Sequence, residues 1–492
     1  TSDSRLYVRL SPTDNPDSHR MTFDFWLYFS LGGESPGIPA TYNGQDYRPL
    51  LISVPSVRRE ANEQMWGTPV TGRGVIVLEN PQVRGSSGEF AAGIWDDLYE
   101  LYLWLAAEVR VYFGGDDLPY GEFRKVWTGR VQTAEWTDAT FSLEVYDIGD
   151  DLNRPPTLGT MGAGGDVGVD AERRIVPALY GACYSVRALL LIESTLVFQY
   201  ASASFAQVAL ERVLVNGVEV TPYSVNVNVA NFQLDETWRN AIVNEGAEVT
   251  CDVVGVKDAN GDVMTNPSDI IKDILVNWGG KTTADLDATS FSDARLATAS
   301  VHLSLALIDF RPIREHIDAI CRAAMMYLYV DESGKYFLQA VLPVRADVAV
   351  DRTIRDTMGA IGEVRARVDS GQTAGEYNIE GSRESVRLRR PGALESEVRA
   401  YTTADAKAKQ LTRRTDGLTV EATLLEDMES APLLAGHLGL LYGAPIMRFE
   451  VEANKRWFDL TVHKLVALSR SRAPDSSGTG WASRLTRVLS LE

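Results

Sequence analysis

The sequence predicts a mainly β protein with α/β insertions, of the α+β class. Three observations predict it. Apolar and polar residues alternate with period two across many short stretches, most cleanly at Phe141, Leu143 and Val145 against Ser142, Glu144 and Tyr146. Apolar residues at helical spacing cluster in a few windows. Glycine, proline, asparagine and aspartate punctuate the chain at short intervals.

In chain order, residues 5–10 and 22–31 read as strands rich in Phe, Trp and Tyr, separated by a polar loop over 11–19. A glycine-rich loop is expected at 32–37, and the β pattern resumes at 75–78. Ile94, Leu98, Leu101 and Leu105 recur at helical spacing, which predicts a short helix over 93–105. Strands return at 108–113, with the turn expected at 114–117. Residues 126–155 read as strand, turn at Thr137-Asp138, strand, closed by the Pro155-Pro156 pair. The glycine-rich stretch 157–170 reads as a linker or exposed loop.

A second β-rich region spans 175–256. Within it Asn216-Gly217 carries the signature of a type I′ hairpin. Asn266-Pro267-Ser268-Asp269 then supplies a cap, a proline at the first helical position and an acid in the first turn. Ile270, Ile271, Ile274, Leu275 and Trp278 form the apolar stripe of that helix, and Gly279 ends it. Pro312 opens another helix with Ile313, Ile317, Ile320, Cys321 and Ala324 on one face, followed by a hairpin over 326–342. Strands at 364–368 and 376–381, a helix over 430–442 with Leu434, Leu438 and Leu441 inward, and strands at 446–451, 458–468 and 481–491 complete the reading. A linker over 474–480 precedes the last of these. The expected domains are 1–155 and 346–492, both β, with a β-rich middle domain at 156–262 and an α/β middle domain at 263–345.

Composition narrows the function. The 492 residues carry a net charge of −19, which disfavours non-specific nucleic-acid binding, because phosphate recognition needs clustered Lys and Arg. Cys183, Cys251 and Cys321 are too few and too dispersed for a disulfide framework or a four-cysteine metal site, so a reducing compartment is expected. The first residues lack a charged segment followed by an apolar one. The most apolar stretch, 188–197, is broken by Glu193 and too short to span a bilayer, so a soluble protein with no stable membrane insertion is expected.

No catalytic signature emerges, and no catalytic, cofactor-binding or metal residue is assigned. Asp258, Asn260, Asp262, Asn266 and Asp269 offer oxygen ligands in a calcium-like spacing, but the glycine is misplaced for an EF-hand and Asn260-Gly261 is a turn signal in its own right. The turn reading is preferred. Residues 159–168 lack the Gly-Lys-Ser/Thr of a phosphate loop. His19, His302, His316, His437 and His463 show no paired metal spacing, and His316 is read as exposed or core-lining. No Gly-x-Ser-x-Gly elbow is present, while a pairing of Cys183 or Cys321 with a histidine stays open. Residues 383–390 form the one basic run, read as a solvated surface in preference to a docking patch.

Several segments together resemble the baseplate, or tail-tip, hub proteins of long-tailed bacteriophages. They are Trp127-Thr-Gly-Arg-Val, Val176-Pro-Ala-Leu-Tyr-Gly-Ala, the helix and hairpin over 317–343, and the 430–442 helix running into Met447-Arg-Phe-Glu-Val. Such hubs are similar to the torus-forming hub of contractile phages. The resemblance implies two β-barrel, tube-like domains, over about 22–153 and 362–472, with inserted middle domains. It also implies a homotrimer whose pseudo-sixfold ring closes the tail tube, no enzymatic activity and no cofactor. The implied partners are the distal tail or tail tube protein, the tape-measure protein, and central fibre or spike proteins. DNA would pass through an acidic lumen without sequence-specific binding, and the protein would sit at the virion tail tip after assembly in the host cytoplasm. The rival readings are a distal tail protein forming a hexameric ring, a tail-associated cell-wall hydrolase, and a secreted β-rich adhesin.

Overall fold

The computed structural model describes residues 104–115, 124–157 and 174–341, apart from 203–207, 259 and 332. It also describes the shorter stretches 4–11, 23–28, 40–42, 45–47, 51–53, 59–60, 66–69, 73–80, 82–84, 90–93, 95–96, 352–355, 361–369, 376–382, 398–404, 417–422, 424–425, 430–443, 446–453, 465–470, 481–488 and 490–491. The fold is mainly β with helices inserted in the middle of the chain, as the sequence predicts.

The N-terminal unit is built on a seven-stranded antiparallel sheet. Its strands are β1 (Ser4–Ser11), β2 (Phe23–Tyr28), β3 (Leu51–Ser53), β4 (Arg73–Glu79), β5 (Glu108–Gly115), β6 (Arg124–Trp136) and β7 (Thr140–Asp147), in the order β2-β1-β5-β6-β7-β4-β3. Register shifts interrupt the β5–β6 ladder at Val111/Tyr112 and the β6–β7 ladder at Val131/Thr133. Each bulge strengthens local twist, so the sheet curls. Its edge strands, β2 and β3, approach to within 8 Å between Cα atoms, with no ladder between them among the described residues.

Alternation along β7 buries Phe141, Leu143 and Val145, as the period-two pattern requires. Phe141 stacks on Trp95 (5.1 Å between ring centroids) and meets Trp104 edge-on (4.9 Å), so three aromatic rings fill the curl. Trp127 is buried in the same core, and its ring runs over Gly129. A Cβ at position 129 would lie closer than 3.0 Å to that ring and to the Tyr146 carbonyl oxygen. The Trp-Thr-Gly-Arg motif is therefore a packing unit: the glycine makes room for the tryptophan two residues before it.

The middle of the chain builds two four-stranded sheets. The first runs β9-β16-β12-β13, from Ala182–Arg187 (β9), Val249–Val254 (β16), Ala209–Val215 (β12) and Val218–Val220 (β13). The second runs β10-β11-β15-β14, from Leu189–Ile192 (β10), Val197–Gln199 (β11), Asn231–Gln233 (β15) and Ser224–Asn226 (β14). A further pair joins β8 (Ala178–Tyr180) to β17 (Leu305–Leu307). Asn216 and Gly217 both adopt positive φ, 49° and 80°, as a type I′ turn between β12 and β13 demands.

Helix α1 (Pro267–Asp273) starts under an Asn266 cap and continues as a π-turn over Ile274–Trp278. Helices α2 (Ala288–Ala297) and α3 (Ile313–Ala324) follow, then the hairpin β18 (Met326–Val330) and β19 (Tyr336–Ala340). The apolar stripes expected on α1 and α3 are buried residue for residue. One hydrophobic core runs through most of these elements, though not through the exposed β14, and includes Trp66, Ile379, Val420, Leu424 and Leu434 from outside the middle of the chain.

The C-terminal part contributes β20 (Arg352–Arg355), β21 (Ile361–Asp369), β22 (Glu376–Ser382), β23 (Val398–Ala404), β24 (Gly417–Glu421), α4 (Ala431–Tyr442), β25 (Ile446–Ala453), β26 (Leu465–Arg470) and β27 (Trp481–Arg487). Among the described residues these strands form the sheets β20-β26-β27, β21-β25 and β23-β22-β24. The β20–β26 and β22–β24 pairs are parallel.

Several sequence expectations need correction. Gly114 and Gly115 lie in β5, opposite Arg5 and Ser4, and not in a turn. The helix expected over 93–105 falls largely outside the described residues: Asp96 is helical, as expected, whereas Gly93 ends a strand and Trp104–Ala107 form a turn, with Leu105 exposed. The apolar stretch 188–197, by contrast, agrees with the β-rich reading of 175–256: it is the β10–β11 hairpin around a 3-10 turn at Glu193–Thr195. Helix α2 and the 3-10 helix Ile148–Asn153 have no counterpart in the sequence reading. The loops expected at 11–19 and 32–37 and the linkers at 157–170 and 474–480 lie outside the described residues, apart from Ser11, which ends β1, and Thr157, which is not in a helix or strand. No helix among the described residues is long and apolar enough to cross a membrane.

Gly129→Ala is expected to lower stability by about 1–3 kcal/mol, the usual result of forcing an extra carbon into a filled core. Urea unfolding of the two proteins measures it, and an unchanged midpoint would refute the packing role.

Candidate functional site

The most organised polar constellation among the described residues is where the N-terminal sheet enters the central core. Strand β7 ends at Asp147, whose carboxylate accepts from the Gly149 amide (2.8 Å) and so starts the 3-10 helix. Ile148 and Leu152 of that helix leave the sheet's core and insert into the central one. Asp150 and Asp151, between them, face a ring of cations.

Asp151 accepts from Lys281 Nζ at 2.6 Å and lies 3.4 Å from Arg130 Nε. Asp150 lies 3.7 Å from Arg314 and 3.9 Å from Arg73. Lys281 and Asp151 retain 9% and 14% of their side-chain exposure, which places this ion pair out of bulk water. The Lys281 ammonium also stands 5.3 Å from the centroid of the Tyr336 ring. Burial pushes the Tyr336 phenol far up, so it stays protonated, and its hydroxyl donates to the Ile148 carbonyl (3.3 Å).

Backbone contacts reinforce the junction. Arg314 donates to the Gly149 carbonyl (3.2 Å), Arg154 donates to the Gly279 carbonyl, and the Ile313 amide donates to the Arg154 carbonyl (3.0 Å). Thr157 bonds twice to the Trp278 carbonyl, through its amide (2.9 Å) and its hydroxyl (3.0 Å). The segment leaving β7 is thus held between the end of α1 and the start of α3. Lys125 of β6 donates to the Ser333 carbonyl in the β18–β19 turn (3.1 Å).

A second, half-buried carboxylate lies beside the central core. Asp273 accepts from the Tyr180 hydroxyl (2.7 Å) and from Asn277 Nδ2 (2.7 Å), while Trp278 Nε1 donates to the same hydroxyl (3.0 Å). Burial raises the Asp273 carboxyl above its ordinary range, against the opposing effect of its hydrogen bonds. Asp318 is also raised by burial, and it accepts from both the amide and the hydroxyl of Thr68 at 2.8 Å.

The residues singled out from sequence take other places. The Asp258 carboxylate accepts from the Asn260 and Asp262 amides (2.8 and 3.0 Å), the geometry of a tight turn. Asn266 caps α1, and Asp269 pairs with Arg295 at 2.7 Å, so the five oxygen-bearing residues do not converge. Among the described residues no group of three or more His, Cys, Asp or Glu side chains is placed to hold a metal.

His316 is core-lining, 3.4 Å from Asp309, with its pKa lowered by burial. His302 bonds to Thr265 (3.0 Å), His437 is half-buried on α4, and His19 and His463 lie outside the described residues. None of the three cysteines forms a disulfide and all are buried, and burial raises the thiols of Cys251 and Cys321 well above the ordinary range, which holds them neutral. The basic run at 383–390 and the glycine-rich 159–168 also lie outside the described residues.

Sequence reasoning missed the junction itself. The local signal was present in Asp147-Ile-Gly-Asp-Asp, a cap followed by two acids in one turn, but nothing in the order of residues says that Lys281 and Arg314 return to meet it.

No protein-family model and no curated protein matches this chain. Among solved structures, the 43 kDa tail protein of prophage MuSo2 from Shewanella oneidensis is similar at 9% identity and a TM-score of 0.37, over 99% of this chain and 93% of that one. A tail protein from Neisseria meningitidis MC58 matches at 7% identity and 0.38, over 92% and 89%. The prophage tail protein gp18 from Listeria monocytogenes EGD-e matches at 8% and 0.26, over 92% and 88%. At these values the likenesses by themselves assign neither a fold nor a function.

Two outcomes test the site. Lys281→Ala is expected to destabilise toward the lower end of about 3–5 kcal/mol, because Arg130 still faces the carboxylate it strands. The double change Lys281→Met with Asp151→Leu is expected to lose less than the single one. Denaturant midpoints of both variants decide this, and a harmless Lys281→Ala would refute the buried pair.

The second outcome concerns pH. A carboxyl raised on folding contributes stability below its unfolded pKa and loses it as pH rises through the folded value. The stability of Asp273→Asn relative to the parent is therefore expected to increase from about pH 3 to about pH 6. A pH-independent difference would mean that burial does not shift Asp273.

Proposed function

We propose that the chain is a structural component of a bacteriophage tail tip: a ring-forming, non-enzymatic hub that closes the tail tube, joins it to a central fibre or spike and gates DNA passage. The observation that carries this reading is the curled seven-stranded sheet. Its β6–β7 hairpin holds the Trp127-Thr-Gly-Arg-Val unit of the tail-hub resemblance, and the junction at Asp151 couples it to an α/β body.

In this reading the chain divides at 1–155, 156–262, 263–345 and 346–492. The two outer β parts face the tube and the middle parts carry the neighbours. Three copies would alternate their outer parts around a pseudo-sixfold ring. The net charge of −19 suits a lumen that repels phosphates and lets DNA slide. The distal tail or tail tube protein, the tape-measure protein and a fibre or spike would be its partners, within the virion.

The gate follows from stiffness. A nearly dry ion pair and its backbone clamps link sheet to body without a flexible segment between β7 and the 3-10 helix. A displacement of the body by an attached fibre would then move the sheet as a rigid unit and change the width of the ring.

Light scattering of the purified chain, with particle images of the same fraction, tests this reading. The expected result is a mass of three chains and a threefold ring with an axial hole. A sixfold ring would transfer the reading to a distal tail protein. A monomer that cleaves cell-wall glycan or peptide would overturn it.

A further inference from the structure

The polypeptide from Val220 to Leu234 carries no charged side chain, in a protein in which charged residues make up 23% of the sequence. It reads Val-Thr-Pro-Tyr-Ser-Val-Asn-Val-Asn-Val-Ala-Asn-Phe-Gln-Leu and folds into the β14–β15 hairpin. Its inner residues, Ala230, Phe232 and Leu234, are buried. Its outer ones are not: Tyr223 is 72% exposed, and Val225, Val227 and Val229 are 39–44% exposed. Val218, on the neighbouring β13, is 61% exposed. Scattered exposed valines need no explanation, but five large apolar residues within one stretch of twelve do.

The backbone is also open. Strand β14 ends its sheet and β13 ends the adjacent one, and no described strand pairs with the outer side of either. The Tyr223 amide donates inward to the Gln233 carbonyl (2.8 Å), so the alternate backbone groups of β14 face outward. Edges of this kind accept an added strand unless charge, proline or a bulge blocks them. Glu219 lies on β13 and Pro222 precedes β14, so the edge free of charge and proline is β14 itself, Ser224–Asn226.

Charge selects the occupant. Glu219, on β13, precedes the hairpin and Asp235 follows it, both exposed, while Glu236 beyond them is paired with Arg239 and adds no net charge to the rim. The nearby cations are engaged, since Arg239 pairs with Glu236 and Arg212 with the buried Asp252. The patch is therefore an apolar, uncharged centre with an acidic rim, and a second copy would bring a matching acidic rim against it. We propose that this hairpin docks an extended segment of a partner protein that alternates apolar and basic side chains. The proposal is independent of the tail-hub reading and survives a failure to form rings.

The probe is a fluorescent peptide of alternating valine and lysine, titrated against the full chain, with a valine–glutamate peptide as its counterpart. The lysine peptide is expected to bind at least about ten-fold more tightly than the glutamate peptide, and that ratio is expected to shrink at high salt. Tyr223→Ser with Val227→Ser is expected to weaken it by about ten-fold or more. These side chains are exposed, so an unchanged thermal unfolding midpoint verifies that the variant folds. Equal binding of the two peptides, or binding unaffected by the substitutions, would overturn the proposal. A concentration-dependent increase in mass that the substitutions abolish would overturn it in favour of a second copy as the occupant.

Discussion

The ion pair between Asp151 and Lys281 is the constraint around which the described structure is organised. It closes a distance of 130 residues in sequence and lies where two hydrophobic cores meet. Each core satisfies its own packing. Neither fixes the position of the other, because apolar contact is non-directional. Orientation comes from the polar atoms between them: two carboxylates presented by one short 3-10 helix, and four cations arriving from β4, β6, α3 and the loop after the α1 π-turn. Removing such charges from water is unfavourable, so the arrangement persists because every carboxylate has more than one partner.

The junction also explains a local choice of structure. A strand as regular as β7 would ordinarily leave through a turn or loop at the surface. Here Asp147 accepts the Gly149 amide and bends the chain at once, so that Ile148 and Leu152 point into the central core while Asp150 and Asp151 stay at its rim. The Tyr336 hydroxyl and the Arg314 guanidinium then take the carbonyls of Ile148 and Gly149. A short 3-10 turn leaves such carbonyls without helical partners, and side chains from elsewhere in the chain supply them.

Much of the fold was legible wherever the determining interaction is local. Asn216-Gly217 demands positive φ at two successive residues, and the backbone adopts it. Asn266-Pro267 caps and starts α1, and Thr137-Asp138 turns β6 into β7. The apolar stripe of α3 and the alternation of β7 report burial directly. Helix α2 escaped because its sequence, Ala-Thr-Ser-Phe-Ser-Asp-Ala-Arg-Leu-Ala, buries just Phe291 and Ala294 and leaves Leu296 exposed, so it shows no stripe. The parallel pairs β20–β26 and β22–β24 were invisible because their partners lie far apart and no turn joins them. The junction was invisible for the same reason: which of 48 basic residues meets which of 67 acidic ones is a property of the folded chain.

The same physics separates the two polar extremes of the molecule. At the junction, charge is concentrated where water is scarce, and the geometry is correspondingly fixed. On the β14–β15 hairpin, charge is absent where water is abundant, and apolar side chains face outward. A purely solvated hairpin has no need to exclude charge, since Lys or Glu at Val225 or Val227 would lie on an exposed face and favour solubility. An edge strand in particular is ordinarily protected from adventitious pairing by such charges. Their absence over a charge-free run, in a chain this acidic, is what a surface shaped for contact requires. The centre of a protein contact is depleted of charge because each buried charge must be desolvated, whereas an acidic rim steers a basic partner without paying that penalty.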